Sequence, residues 1–163
     1  LKKRYIIYQS REKTRVKRKF GENNMEVKVK KVMDCAVMPA KAHAADAGFD
    51  LRACKVERVG FDEIVCHTGL AFEIPDGHVG LLFPRSSIAR TAMMLKNSVG
   101  VLDSCYRGEV TFKFRQLDNG DTYNVGDKIG QIIIMPYPEI IFVESDNLSD
   151  TERGAGGYGS TGR

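Results

Sequence analysis

Several short stretches of this 163-residue chain gather side chains that could do chemistry. "NSVGVLDSCYRGEV" sets Asn97, Asp103, Tyr106 and Arg107 around Gly100 and Gly108, where the turn residues predict a tight β-hairpin. Such a polar cluster exceeds what a purely structural turn needs, although hairpins routinely place Asn, Asp and Gly at turns. "PRSSIAR" offers Arg85, Ser86 and Ser87 just after Pro84, at the start of a predicted short helix over Ser86–Leu95. Free N–H groups at that point suit an anion, and the serines equally suit an ordinary cap. "ADAGFDLRA" puts Asp46 and Asp50 around Gly48, facing either a hydrated metal or a turn. The chain closes on "RGAGGYGSTGR", whose five glycines leave too little apolar surface for order by burial.

The elements that must position these groups read as short strands. "EVKVKKV" alternates Val27 and Val29 with charged residues, and "EVTFKFR" sets Val110, Phe112 and Phe114 against Thr111, Lys113 and Arg115. "VGLLFP" and "IGQIIIMPY" are denser, as buried strands are. Turn signals at Pro75-Asp76-Gly77, Asp118-Asn119-Gly120-Asp121 and Gly126-Asp127 separate them. The predicted fold class is therefore all-β with one short helix, and Met93 and Met94 on that helix read as core filler.

Length and a 42% hydrophobic content fit one domain with a real core. No apolar run approaches the roughly 20 residues of a membrane helix. Cys35, Cys54, Cys66 and Cys105 form no C-x-x-C pair, which predicts reduced structural thiols in a cytoplasmic protein, with a disulfide the open alternative. His43, His67 and His78 are isolated and read as surface or loop residues. The net charge of +4 is uneven: residues 1–24 hold nine Lys or Arg against Glu12 and Glu22, and the rest holds 16 basic against 19 acidic residues. This basic arm suits a nucleic-acid tether, a targeting peptide, or a segment outside the working protein. The third reading is favoured, because Gly21-Glu22 ahead of Met25 is what a purine-rich ribosome-binding sequence spells in frame. The division expected is an arm (1–24), a β-domain (25–152) and a glycine-rich tail (153–163).

Taken in order, "ADAGFDLRA", "PRSSIAR", "GVLDSCYRGEV", "GDKIGQ" and "RGAGGYGSTG" resemble the five motifs of the trimeric dUTPases, over nearly all of residues 25–163. The resemblance implies a distorted jelly-roll (β-clip) subunit in a homotrimer with shared active sites. It also implies hydrolysis of dUTP to dUMP and pyrophosphate with Mg²⁺ bound through the triphosphate. That reaction supplies dUMP for thymidylate synthesis and keeps uracil out of DNA.

Position by position, the resemblance makes Asp103 the general base acting on water at the α-phosphorus. Tyr106 packs under the deoxyribose and excludes a 2′-hydroxyl. Asn97 and the backbone around Gly100, Val101, Leu102 and Thr111 bind the uracil edge. Arg85, Ser86 and Ser87 bind the α and β phosphates, Ser86 at the leaving oxygen, and Gln131 reaches a phosphate. The tail is a lid: Arg153, Gly159, Ser160 and Thr161 meet the γ-phosphate while Tyr158 stacks on the base. Asp50, ahead of Asp46, holds magnesium's waters rather than the ion itself.

Cys105, Gly130 and Tyr158 depart from the commonest pattern, where Asp or Gly, Ala, and Phe are usual. Cys105 is read as a structural turn residue. Related dCTP deaminases share the fold but need a differently arranged hairpin with a glutamate base. A regulatory protein switched by nucleotide is the rival of a different class. No stable nucleic-acid or membrane partner is expected, since the arm lacks interleaved aromatics. Intact-mass measurement of the native protein is expected to show a chain beginning at Met25; a mass that includes residues 1–24 contradicts that account of the arm.

Overall fold

The structure is a computed structural model, and it describes residues 24–157. Among these residues the strands are β1 (Lys28–Lys31), β2 (Phe49–Arg52), β3 (Lys55–Val59), β4 (Glu63–His67), β5 (Leu70–Glu73), β6 (His78–Phe83), β7 (Met93–Leu95), β8 (Gly100–Leu102), β9 (Thr111–Gln116) and β10 (Lys128–Pro136). They form three antiparallel sheets. β1 pairs β5, a four-stranded sheet runs β2-β10-β6-β8, and a second runs β3-β4-β9-β7. The predicted all-β class holds.

Side-chain alternation explains why the sheets pack together. β9 turns Phe112 and Phe114 inward and leaves Lys113 and Arg115 outside, as the period-two pattern predicts. Leu51 and Ile132 from one four-stranded sheet meet Ile64, Phe112 and Phe114 from the other, and Leu70 joins them from the two-stranded sheet. Each such side chain gains about 1.5–3 kcal/mol on full burial. The rings of Phe112 and Phe114 lie 6.1 Å apart and nearly parallel, and Tyr123 closes on Phe114 at 5.1 Å. Gly77 and Gly126, at two predicted turns, hold φ of 72° and 91°, a backbone region that side-chain-bearing residues avoid.

Three sequence expectations need correction. The predicted helix over 86–95 is a five-residue 3₁₀ turn, Ser86–Arg90, followed by strand β7. Ile88 N–H donates to Arg85 O and Thr91 N–H to Ile88 O, after which Ala92 exchanges backbone bonds with Leu117 and Asp121. Pairing β7 to the open side of β9 satisfies more backbone than a local helix would, so tertiary pairing overrides propensity. Met93 is accordingly core, whereas Met94 points outward.

Second, the 97–111 segment is not a closed hairpin. β8 pairs β6 while β9 pairs β4 and β7, so residues 103–110 cross from one four-stranded sheet to the other. Third, Cys35 and Cys54 form a disulfide with Cα atoms 5.4 Å apart, in place of two thiols. Spacing of 19 residues in sequence gives no hint of it; the β2–β3 connection simply brings Cys54 under the loop that follows β1. Cys66 and Cys105 are free.

Gly130 has a packing reason. A Cβ there would run into the Phe112 ring and lie 2.9 Å from Phe83 O. Gly130→Ala is therefore expected to cost about 1–3 kcal/mol by overpacking, visible as a lower denaturation midpoint. An unchanged midpoint would show that Phe112 can move aside.

Candidate active site

The middle of the β2-β10-β6 sheet builds the first part of the site. Asp50 on β2 stands opposite Gln131 on β10, and Gln131 stands opposite Phe83 on β6. Three strands therefore deliver one row of residues to one level. Just past that row the chain turns at Pro84, and Arg85 sends its Nε to Asp50 Oδ1 at 2.8 Å. Lys128 Nζ reaches the other carboxylate oxygen at 2.6 Å, beyond a register shift between Lys128 and Gly130. Gln131 donates its amide N–H to Pro84 O at 3.2 Å. Gly48 borders this amide so closely that a Cβ would collide with it.

The charge balance of this cleft follows directly. Asp50 is largely buried and shared by Arg85 and Lys128, and with Asp46 also on the cleft the two carboxylates balance the two cations. Ser86, Asp46 and Gln131 complete the lining. What the cleft offers a phosphate is the Arg85 fork, which suits bidentate contact, with the Ser86 hydroxyl beside it. The 3₁₀ turn is too short to add a helix dipole, so Arg85 and Ser86 act through their side chains and not through a helix end. Ser87, in the same turn, is half-buried. Asp46 accepts from His43 N–H at 2.8 Å and closes a turn.

Asp103 lies elsewhere. It is exposed and follows Leu102, which pairs with Gly80, in a cleft shared with His78, Leu81, Val101, Cys105 and Tyr137. The two clefts have no lining residue in common. From Gly80 to the end of β6 at Phe83 is three residues, about 10 Å at a strand rise of about 3.3 Å, and Arg85 lies past the turn that follows. A single chain thus separates the carboxylate from the Arg85 cleft.

β8 is an edge strand, and its sequence alternates. Gly100 and Leu102 are buried, while Val101 is 65% exposed. Its outer backbone edge faces away from β6, as an open row of donors and acceptors. Asn97 is exposed one turn earlier, next to Ser98 at φ 59°. Tyr106 folds over Gly108, where a Cβ would strike its ring, and donates its hydroxyl to Glu109 O at 3.2 Å. Arg107, which has no assigned substrate role, donates to the carbonyls of Ser104 and Tyr106 and stiffens the same turn. Thr111 begins β9 opposite His67. Arg153 Nε donates to Gly156 O at 2.9 Å. Tyr158, Gly159, Ser160 and Thr161 lie outside the described residues, as does the arm up to residue 23.

Sequence reasoning missed Lys128, Glu109 and His67. Lys128 stands inside "GDKIGQ" but is registered opposite Arg52, so its ion pair with Asp50 could not be read from the motif. His67 is no loop residue: it ends β4 with an 18% exposed side chain between Glu57 and Glu109. Nothing local announces partners 10 and 42 positions away. The buried Cys66 thiol is pushed up to about 12, first by burial and then by Asp127, and is no nucleophile.

An antiparallel β-fold with an Arg-Ser-Gln cleft at one end of a sheet and an acid beside an open strand edge at the other sets the class of the protein. The dUTPase family profile matches residues 34–162, and the chain belongs to the dUTPase family. The deoxyuridine 5′-triphosphate nucleotidohydrolase of Cutibacterium acnes is 38% identical over 130 residues, 77% of this chain and 85% of that protein. Its namesake from Corynebacterium efficiens is 42% identical over 131 residues, 77% and 72% respectively. Among solved structures, the Staphylococcus bacteriophage 80alpha dUTPase with dUpNHpp superposes with a TM-score of 0.74 at 24% identity, over 86% of this chain and all of that one. A dUTPase variant from phage phi11 of S. aureus, described with a coordinated structural Mg(II) ion, reaches 0.67 at 22% identity, over 77% of this chain and all of that one.

Inorganic tripolyphosphate is expected to raise the melting temperature of the wild type and to do so less for Arg85→Ala, with the difference shrinking in high salt. Equal shifts for both proteins would mean that the Arg85 cleft is not a phosphate site.

Proposed function

We propose that this chain, a deoxyuridine 5′-triphosphate nucleotidohydrolase of the dUTPase family, splits dUTP into dUMP and pyrophosphate in active sites shared between copies of a homotrimer, with Asp103 as general base. The observation that carries this reading is the separation of Asp103 from Arg85, Ser86 and Gln131 within one chain. A second copy that sets its Arg85 cleft against the first copy's β8 edge would complete the site. Two further features support assembly. Residues 135–155 are exposed throughout, including Ile141 at 82% and Phe142 at 93%. The exposed apolar run Ile140–Val143 within them calls for a covering surface. Symmetric closure then gives every copy the same neighbours.

Recognition starts at the β8 edge. The outer backbone of Gly100–Leu102, with Asn97 and Thr111 nearby, can pair with uracil's N3–H and two carbonyls much as a strand pairs with its neighbour. Cytosine offers a different pattern, and close backbone approach leaves no room for a methyl at C5. Tyr106 would stack under the sugar and exclude a 2′-hydroxyl, so UTP is rejected. Unpaired or clashing groups discriminate far more strongly than a roomy apolar pocket.

At the phosphates, Arg85 and Gln131 would orient the chain of charges, and Ser86 would donate to the oxygen bridging the α and β phosphorus atoms. Asp103 takes a proton from water as its oxygen attacks the α-phosphorus. The bond from that phosphorus to the bridging oxygen breaks, and pyrophosphate leaves. Asp50 fits a supporting role toward magnesium: Arg85 and Lys128 occupy one site on each oxygen, and the remaining lone pairs can accept from the ion's waters. Among the described residues no cluster of three or more His, Cys, Asp or Glu offers a resident metal cage. Bound through the triphosphate, magnesium supplies charge neutralisation at the phosphate oxygens. The tail from Arg153 to Thr161 would close over the nucleotide.

Among the described residues no helix is long and apolar enough to cross a membrane. The cytoplasmic expectation loses its thiol argument once Cys35 and Cys54 pair.

Product analysis with dUTP, dTTP, dCTP and UTP tests the reading. Fast pyrophosphate release from dUTP alone is expected, and Asp103→Asn should still bind dUTP while losing about 10²–10⁴-fold in rate. Deamination with the triphosphate retained, or full activity in the Asn variant, would refute it.

A further inference from the structure

The segment 103–110 carries Asp103 and Tyr106, yet it pairs with no strand until it reaches Glu109 and Val110. There it is stapled to residues 67–70. Val110 N–H donates to Leu70 O at 2.8 Å, and Val110 O accepts from the Thr68 hydroxyl at 2.7 Å and from Thr68 N–H at 3.3 Å. Thr68 is wholly buried, and its hydroxyl also accepts from Leu70 N–H. Glu109 Oε1 accepts from Gly69 N–H at 2.8 Å, and its Oε2 lies 2.9 Å from His67 Nδ1. The other ring nitrogen, Nε2, lies 3.1 Å from Glu57 Oε2 on β3. Tyr106 closes the chain of contacts through its hydroxyl on Glu109 O.

We propose that His67 is a positioning residue for the reaction: bridging Glu57 and Glu109, it anchors the segment that holds Tyr106 against the sugar. The inference rests on the dUTPase reading above and adds to it the group that sets sugar selectivity from outside the site. Glu57 also meets Lys55, which stands opposite His67 across β3 and β4; from β9 the neighbour opposite is the uncharged Thr111. His67 therefore faces two carboxylates, with Lys55 held by one of them.

The geometry has a pH consequence. A protonated imidazole donates to both carboxylates, whereas a neutral one donates to one only. Glu109 first, and Glu57 after it, raise His67 above its ordinary value against the opposing effect of burial. Glu57 is itself held below the usual carboxylate range by Lys55 and His67. The anchor is therefore complete where the carboxylates are ionised and His67 is charged. It weakens as pH rises through the raised His67 value, somewhere above about 6.5.

The test measures the ratio of kcat/KM for dUTP over UTP across pH, together with amide hydrogen exchange of the peptide spanning 103–110, in wild type, His67→Ala and His67→Asn. The ratio cancels titrations common to both substrates. Expected are a wild-type ratio that falls as pH rises past the His67 value and a roughly ten- to hundredfold lower, pH-independent ratio in His67→Ala. Exchange across 103–110 should be faster in His67→Ala at neutral pH. His67→Asn, whose amide can still reach Glu109, should recover part of the ratio without its pH dependence, and it serves also if the Ala variant fails to fold. A folded His67 variant with wild-type selectivity, pH profile and exchange overturns the proposal. Faster exchange in a protein that does not hydrolyse dUTP would uphold the anchor and refute the functional reading instead.

Discussion

Antiparallel pairing of β6 with β8 places Leu102 opposite Gly80, and everything functional in the molecule depends on that register. It puts Asp103 toward the beginning of β6, while Arg85 leaves from the far end. A strand is rigid on this scale, so no side-chain rotation brings the two together. On the proposed reading the parts of the phosphohydrolase lie in two places, and assembly of several copies would unite them.

Each half is prepared by different physics. At the phosphate end, three strands align Asp50, Gln131 and Phe83, and a shared carboxylate holds two cations that would otherwise repel each other. At the proposed base end, the groups on offer are backbone ones, open because β8 is an edge. Edge strands invite aggregation unless they are covered. Here a bound base and a second copy would cover it, which makes the exposed edge a functional feature rather than a liability. Residues 103–110 join the two four-stranded sheets, and their fixed end at Glu109 and Val110 decides how firmly Tyr106 is held.

Much of this was legible in the sequence. Alternation in "EVTFKFR" identified the inward Phe112 and Phe114, and the order of motifs pointed to one family. The failures share a cause, since each depended on a partner distant in sequence. Ser86–Leu95 carries helix-like local signals, but Met93 and Leu95 pair with β9 some twenty residues later. Cys35 and Cys54 gave no spacing signal, and His67 gave no sign of Glu109. Gly130 read as a lost methyl, whereas Phe112 occupies the space that methyl would take. Within the site, residue types were readable from the motifs, but their distribution over two clefts was not, because register decides it.

Mixed assemblies offer the most direct measurement of this account. Asp103→Asn and Arg85→Ala chains, each inactive alone, would be co-folded in equal amounts and assayed for pyrophosphate release from dUTP. If the halves of each site come from different copies, random mixing restores about a quarter of wild-type activity, since one neighbour in two is suitable on each side. Recovery at that level is the predicted result; a mixture as inactive as its components would mean that one chain supplies both halves of the site.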